Sequence, residues 1–288
     1  MTPDPTTTPH DVGTGTGGPM PRRQAIVLMA GATLLAACSA GTSSGPATIS
    51  PATGDTGTTT AGEESTAAES TAAATTDGAA ATCTTPIPEE TAGPFPGDGS
   101  NGPDVLSDPA AVRDDITGSF GSFSGTAAGV PVTLHLTVLD TSKGCGPLTG
   151  GAIYVWHADR DGQYSMYTAA ASNYLRGVGE LDDTGTATFR TIFPGCYDGR
   201  WPHIHFEVYP SLAAATSASN KLVTSQLALP QDMCEAAYAA TGYESSVTNL
   251  THTSLATDMV FSDGVDQQLA TVTGTVADGF TVELTMTV

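Results

Sequence analysis

Apolar and polar residues alternate along several short stretches after residue 130. The first stretch runs from 132 to 138, where aliphatic residues alternate with Thr133, His135 and Thr137. Side chains of a strand point alternately to the two faces of a sheet, so this stretch predicts a strand with one buried face. The same type of pattern predicts further strands over Ala152–Trp156, Thr186–Ile192, His203–Val208, Leu269–Val276 and Phe280–Val288.

Turn and helix signals complete this picture. Asp278-Gly279 predicts a tight turn that joins the last two strands in a hairpin. One helix is predicted after Pro230, from 231 to 240, and ends before Gly242. Many short strands and few helices indicate an all-β domain, which we expect to be a β-sandwich of two packed sheets.

Composition divides the 288 residues into three parts. Nearly all aromatic residues lie after Cys83, so residues 83–288 are predicted to form one β-sandwich domain. Residues 39–82 consist almost entirely of Ser, Thr, Ala and Gly, and cannot bury enough apolar surface to offset the entropy of ordering. We therefore predict a disordered tether over 39–82 and a signal peptide over 1–38.

The predicted signal peptide has the features of an exported lipoprotein. Arg22-Arg23 precede an apolar run from Ala25 to Ala37, which is shorter than the ~20 residues that a membrane-spanning helix needs. Leu35-Ala36-Ala37-Cys38 is similar to a bacterial lipobox, which makes Cys38 the expected lipidation site. The paired arginines favour the twin-arginine route, and the Sec route stays open. We expect a protein held on the outer face of the cytoplasmic membrane, or released outside the cell.

Charge excludes two classes of partner. The formal net charge is −21, whereas nucleic acids and anionic membrane surfaces require a basic patch. We therefore expect no nucleic-acid partner, and membrane contact only through the lipid. The sequence leaves the oligomeric state open.

Four cysteines remain if Cys38 carries lipid, and an even number in an exported domain predicts two disulfides. Their spacing lacks the C-x-x-C clustering of thiolate metal sites. Of the three possible connectivities we favour Cys83–Cys145 and Cys196–Cys234, the second of which would brace the loop that precedes the histidine strand.

The candidate chemistry lies on and near one predicted strand. His203 and His205 share one face of this strand, whereas Ile204 and Phe206 face a core. Tyr197 lies six residues upstream of His203, in a loop with Pro194, Gly195 and Gly199 that lets the chain fold back. Imidazoles accept several transition metals, and phenolates add preference for a hard ion. With Tyr164 as a second phenolate, this set predicts a non-haem Fe(III) site.

Several motifs occur together in one order between Cys83 and Gln226. They resemble those of the intradiol ring-cleaving catechol dioxygenases, which include protocatechuate 3,4-dioxygenase. The resemblance rests on Glu90-Thr91-Ala92-Gly93-Pro94-Phe95, Val112 to Ile116, Gly162-Gln163-Tyr164, Phe193 to Arg200, His203 to Phe206 and Thr224-Ser225-Gln226-Leu227. It implies the same sandwich fold, with iron at one edge of two packed sheets.

The resemblance also implies roles for individual residues. Tyr164, Tyr197, His203 and His205 would bind Fe(III), and Tyr197 would accept a proton from the substrate. Arg200 would stabilise negative charge on the aromatic ring, and Gln226 would orient the bound species. The implied reaction cleaves a small aromatic diol with O₂ to a cis,cis-muconate-type diacid. Catechol, protocatechuate and hydroxyquinol all stay open as substrates.

Other interpretations of these residues exist. The chain could be a cell-surface lipoprotein that binds iron or catechols without turnover, or a copper or zinc protein that uses only His203 and His205. His135 is expected to be solvated and His157 to cap a strand. Glu207 shares the histidine face, where it would be either a partner of the ligands or an exposed carboxylate at the edge.

Overall fold

A computed structural model describes residues 85–288, and two β-sheets account for most of its regular structure. The predictions for residues 1–84, including Cys38, Cys83 and the tether, lie outside the described residues. The strands are β1 (Pro131–Asp140), β2 (Gly146–Pro147), β3 (Ala152–Trp156), β4 (Arg176–Glu180), β5 (Thr186–Ile192), β6 (His203–Tyr209), β7 (Val223–Ala228), β8 (Thr271–Thr275) and β9 (Gly279–Thr287).

Two α-helices lie among the described residues, α1 (Gln231–Tyr238) and α2 (Glu244–Leu250). Neither is long and apolar enough to cross a membrane. Short 3-10 turns occupy Pro109–Ala111, Thr141–Lys143, Leu212–Ala214 and Ala218–Asn220.

The first sheet has the order β2-β1-β9-β8, with β5 paired to β1, and the second has the order β4-β3-β6-β7. Strands β1 and β9 run parallel, and the pairs within the second sheet are antiparallel. Apolar side chains of both sheets form one buried cluster, in which Leu134 and Leu136 of β1 join Ile204 and Phe206 of β6. The predicted β-sandwich is confirmed.

Strand β6 is buried on both faces, which is what positions the candidate site. All seven of its residues are buried. Ile204, Phe206 and Val208 enter the core between the sheets. The opposite face, which carries His203 and His205, is covered by loops that pack around Tyr154 and Trp156 of β3. The candidate chemistry therefore lies on the outer face of the four-stranded sheet.

Sequence patterns located some elements more accurately than others. β3 and β5 have the predicted bounds, whereas β9 begins at Gly279 and the hairpin connection is residues 276–278. β4 was not predicted because Gly177 and Gly179 interrupt its pattern. A Cβ atom at Gly177 would lie 2.5 Å from Ile116, and one at Gly179 would lie 2.8 Å from Phe189, so close packing requires glycine there.

Candidate metal centre

The two histidines of β6 face each other across a short distance. His203 Nε2 and His205 Nε2 are 3.0 Å apart, and both side chains are buried. The strand register places His205 between Trp156 of β3 and Gln226 of β7. The predicted shared face of these histidines is therefore confirmed.

The two tyrosines approach the histidines from loops. Tyr164 follows β3 and Tyr197 precedes β6, and their Oη atoms are 3.5 Å apart. Each Oη atom lies 3.4 Å from His203 Nε2. The structure thus brings the four predicted ligands to one point, although the tyrosines are 33 positions apart in the chain.

A glycine allows the two tyrosine loops to meet. Gly162 has φ of +78°, and a Cβ atom on it would lie 2.9 Å from Tyr197 Cβ. The turn that contains Gly162 is held by Asp159, whose Oδ1 accepts hydrogen bonds from the backbone N–H groups of Asp161 and Gln163. The G-x-Y motif is therefore a packing requirement as well as a source of the phenol.

The spacing of the four donor atoms fits a metal ion. Ligand nitrogen and oxygen atoms lie about 2.0–2.2 Å from a transition metal, so neighbouring ligand atoms are roughly 3 Å apart. Four separations join the donor atoms of Tyr164, Tyr197, His203 and His205, and they run from 3.0 to 3.5 Å. These four side chains can hold one ion between them.

Hydrogen bonding prepares the imidazoles for such an ion. His203 Nδ1 donates to the carbonyl of Trp201, which leaves the Nε2 lone pair directed at the cluster. The ring of His205 stacks on Trp156 at 4.8 Å with an interplanar angle of 5°, and its Nδ1 is buried without a hydrogen-bond partner. The 3.0 Å separation of the two Nε2 atoms is compatible with an N–H of His205 that donates to His203, or with a cation that binds both nitrogens.

Burial sets the protonation of these groups. Burial and then the Arg200 charge lower the pKa of His203 to about 3, and burial and then His203 hold the pKa of His205 well below its ordinary value. Burial, followed by the neighbouring Tyr197, holds the pKa of Tyr164 well above its ordinary value, and burial also raises the pKa of Tyr197. Neutral imidazoles are ready to bind a metal, whereas the phenols require a highly charged ion to ionise them.

Arg200 and Gln226 lie beside the cluster, as the sequence predicts. Both side chains are buried, and Arg200 Nη2 donates to Gln226 Oε1 at 2.7 Å. Arg200 Nη1 lies 3.5 Å from His203 Nε2. Gln226 Nε2 donates to the carbonyl of Thr91 at 2.8 Å, which ties the Glu90–Phe95 motif to the site.

Two residues beside the site had not been predicted. Arg176 is buried and donates to the carbonyls of Phe95 and Pro96 and to Ser165, the neighbour of Tyr164. Asp258 is fully buried and forms an ion pair with Arg200 at 2.9 Å. The sequence alone does not mark these residues as part of the site, because their contacts become visible only in the fold. Asp258, for example, lies 58 positions from Arg200 in a segment without a regular pattern.

Three further polar residues have structural roles. Glu207 is neither an edge carboxylate nor a partner of the ligands, since it is buried and accepts hydrogen bonds from Tyr209, Lys221 and Thr224. His157 is buried between the Ala158 carbonyl and Thr191, in agreement with a structural role. His135 is half-buried and hydrogen-bonds Thr188 on the outer face of its sheet.

The predicted Cys196–Cys234 disulfide is not present, because both residues are free thiols in the structure. Each thiol instead lies near a backbone carbonyl, with Cys196 Sγ 3.5 Å from Arg200 O and Cys234 Sγ 3.9 Å from Leu229 O. Burial raises the pKa of Cys196 to about 12, so its thiol is protonated at neutral pH. The Cys83–Cys145 pairing stays a prediction, because Cys83 lies outside the described residues.

Helix α2 braces the Tyr197 loop in place of that disulfide. The backbone N–H of Cys196 donates to Ser246 Oγ at 2.9 Å, and Asn249 Nδ2 donates to the carbonyl of Cys196 at 2.8 Å. Both partners belong to α2, which was not predicted. The loop is therefore fixed by hydrogen bonds on both sides of the residue that precedes Tyr197.

Comparison with known proteins identifies the family of this chain. A family model described as Dioxygenase (Dioxygenase_C) matches residues 101–258, more than half of the chain. The matched range contains the four candidate ligands together with Arg200 and Gln226. The chain belongs to this dioxygenase family, and the predicted membership of the intradiol ring-cleaving enzymes is confirmed.

Two solved structures show the same fold. An intradiol ring-cleavage dioxygenase from Tetranychus urticae is 20% identical with a TM-score of 0.55, and the match covers 71% of this chain and 94% of that chain. A second dioxygenase gives 20% identity and a TM-score of 0.56 with the same coverage. The chain is also 23% identical to the dioxygenase domain of a dioxygenase carbohydrate-binding protein fusion from Streptomyces sp. SirexAA-E. That match has a TM-score of 0.46 and covers 71% of this chain and 98% of that chain. No curated protein matches this chain.

Proposed function

We propose that this protein is a non-haem Fe(III) intradiol dioxygenase that cleaves catechol-type diols with O₂ to cis,cis-muconate-type diacids outside the cytoplasm. The observation that carries the proposal is the cluster of two phenol oxygens and two imidazole nitrogens with separations of 3.0 to 3.5 Å. Two neutral imidazoles and two phenolates would leave an Fe(III) ion with a net charge of +1. Such a site suits binding of an anionic diolate.

Fe(III) held by Tyr164, Tyr197, His203 and His205 would supply the electronic coupling that lets a diol react with triplet O₂. The protein side chains do the rest. Tyr197 is half-buried, whereas Tyr164 is 2% exposed, so the Tyr197 oxygen is the better placed to receive a proton from an arriving hydroxyl.

The surroundings of the site favour a planar, electron-rich substrate. Phe95 lies 5.2 Å from the Tyr164 ring, and Trp156 and Phe261 pack beside the histidines. Such a lining excludes water and strengthens the attraction between Arg200 and negative charge on a bound ring. Gln226 fixes the Arg200 side chain from the strand beside β6.

An oxygen-uptake screen tests the reaction. Iron-loaded protein is mixed with catechol, protocatechuate and hydroxyquinol, and products are identified by mass. We expect uptake of one O₂ per diol and a product that contains both oxygen atoms. Protein that binds iron and changes colour with diols but consumes no O₂ would support the binding lipoprotein instead.

The cellular location belongs to the same proposal. Its support is the sequence from Arg22 to Cys38, with an apolar run that ends in a lipobox-like Leu-Ala-Ala-Cys. Fractionation of cells that express the wild type and Cys38→Ala tests it. We expect the wild type in the membrane fraction and Cys38→Ala outside that fraction, and identical distributions would contradict lipid anchoring.

A further inference from the structure

The guanidinium of Arg200 is held from two sides. Its Nε donates to Asp258 Oδ2 at 2.9 Å, and its Nη2 donates to Gln226 Oε1 at 2.7 Å and lies 3.4 Å from Asp258 Oδ1. Nη1 is the nitrogen that faces the ligand cluster, 3.5 Å from His203 Nε2. The direction in which Nη1 points therefore depends on the two partners that fix the rest of the fork.

The Asp258 carboxylate acts only as a hydrogen-bond acceptor, and both of its oxygens accept hydrogen bonds. Oδ2 receives Arg200 Nε and the backbone N–H of Trp201 at 2.7 Å. Oδ1 receives the backbone N–H groups of Val260 at 2.8 Å and Phe261 at 3.3 Å. An asparagine would turn its NH₂ group toward N–H donors in either orientation, so this position requires an ionised carboxylate.

The pairing of the Asp258 and Arg200 charges also indicates an ionised carboxylate at this position. Asp258 is fully buried and the Arg200 side chain is 11% exposed, so each would lose much hydration without the other. Burial alone would raise the pKa of Asp258, but hydrogen bonds from Arg200 and the backbone outweigh it and lower the pKa. The carboxylate therefore stays charged and keeps the guanidinium in place.

Asp258 also fixes the chain between two candidate ligands. It binds the side chain of Arg200 and the backbone of Trp201, which lie between Tyr197 and His203. Trp201 in turn accepts the Nδ1–H of His203 through its carbonyl and donates its indole N–H to Leu229 O at 2.8 Å. One buried carboxylate thus holds the arginine and the loop in a single arrangement.

We propose that Asp258 is a positioning residue for the ring-cleavage reaction, because it aims Nη1 of Arg200 at the space where the diol binds. This inference rests on the proposed dioxygenase function. The planar fork of arginine is essential to it, since a lysine ammonium has no second nitrogen with which to reach Asp258.

A double-mutant cycle tests the inference. The variants are Asp258→Asn, Arg200→Leu and the pair together, with Asp263→Asn as the control, because Asp263 is an exposed acid in the same segment. Misplacing a catalytic group by about 1 Å can lower the rate by roughly a hundredfold. We expect Asp258→Asn to lower kcat about tenfold to a hundredfold with KM changed less than about threefold. Asp263→Asn should leave both constants unchanged.

The coupling between the two residues separates positioning from stability. In the Arg200→Leu background, Asp258→Asn should lower kcat by a clearly smaller factor than in the wild type, because only its contact with the Trp201 backbone is then lost. An equal loss in both backgrounds would overturn the inference while leaving the dioxygenase function intact. Wild-type protein that consumes no O₂ with any diol would remove both.

Two further measurements do not depend on the Asp258→Asn rate. A crystal structure of iron-loaded Asp258→Asn should show Arg200 Nη1 displaced from His203, and an unmoved guanidinium would contradict the role of Asp258. If Asp258→Asn does not fold, Arg200→Lys takes its place. It keeps the charge and loses the fork, so we expect kcat close to that of Arg200→Leu, and activity near the wild-type value would overturn the inference.

Discussion

Gly162 lies directly against Tyr197, so close that a Cβ atom on the glycine would stand 2.9 Å from Tyr197 Cβ. Tyr197 therefore owes part of its position to the absence of a side chain on the loop that carries Tyr164. The contact is the physical link between the two phenols of the cluster.

Gly162→Ala should disturb this link, and Gly199→Ala is the matched control. Gly162 has φ of +78° and Gly199 has φ of +80°, but nothing lies within 4 Å of a Cβ atom at Gly199. Each substitution carries the left-handed penalty of about 1 kcal/mol. Gly162→Ala should lower the free energy of unfolding by about 1–3 kcal/mol more, and should also weaken iron binding. Equal losses in urea titrations of both variants would show that the loops do not need this contact.

Iron-loaded protein should be burgundy-red from charge transfer between the phenolates and Fe(III). Tyr164→Phe should shift the visible band and weaken iron retention, because one of the two anionic ligands is lost. Tyr209→Phe is the control, since the Tyr209 hydroxyl donates to Glu207 at 2.6 Å outside the cluster. A colourless protein with stoichiometric iron would refute the tyrosine ligands.

His157 should make the protein less stable in mild acid. Burial lowers its pKa to about 4, whereas an unfolded chain has the ordinary value of 6.5. Between these values the unfolded state binds the extra proton, so the free energy of unfolding falls as pH decreases from 6.5 to 4. At about 1.4 kcal/mol per pH unit, the His157 share is about 3 kcal/mol. His157→Gln should flatten the pH dependence in that window, and an unchanged slope would contradict this role.

Helix α2, and not a disulfide, should hold the Tyr197 loop. Ser246→Ala leaves the buried backbone N–H of Cys196 without its 2.9 Å partner, which should cost about 1–3 kcal/mol and loosen iron binding. Ser245→Ala, on the exposed side of the same helix, should have no effect. Because Cys196 and Cys234 are free thiols, reducing agents should not act on this loop. Loss of activity on reduction, with Cys196 and Cys234 recovered as one cross-linked peptide, would restore the disulfide.

The sequence predicts the candidate ligands better than the residues that hold them in place. Alternation in β6 places His203 and His205 on one face, because a strand has a fixed period of two. The tyrosines and Arg200 are found through motifs of local residues. Asp258 and Ser246 are different, since their importance arises from single contacts with residues 58 and 50 positions away. The glycines of β4 obscure a strand for the same reason, because their packing partners lie in other segments.

Successive residues of β6 belong to two different environments on its two faces. Ile204 and Phe206 belong to the core between the sheets, and His203 and His205 to the outer face. A slip of one position against its neighbours would exchange these faces, directing imidazoles into the aliphatic interior and aliphatic side chains toward the phenols. Only the native register brings all four candidate ligands together. Binding of the proposed iron would therefore favour the correctly paired strand over a slipped one by mass action.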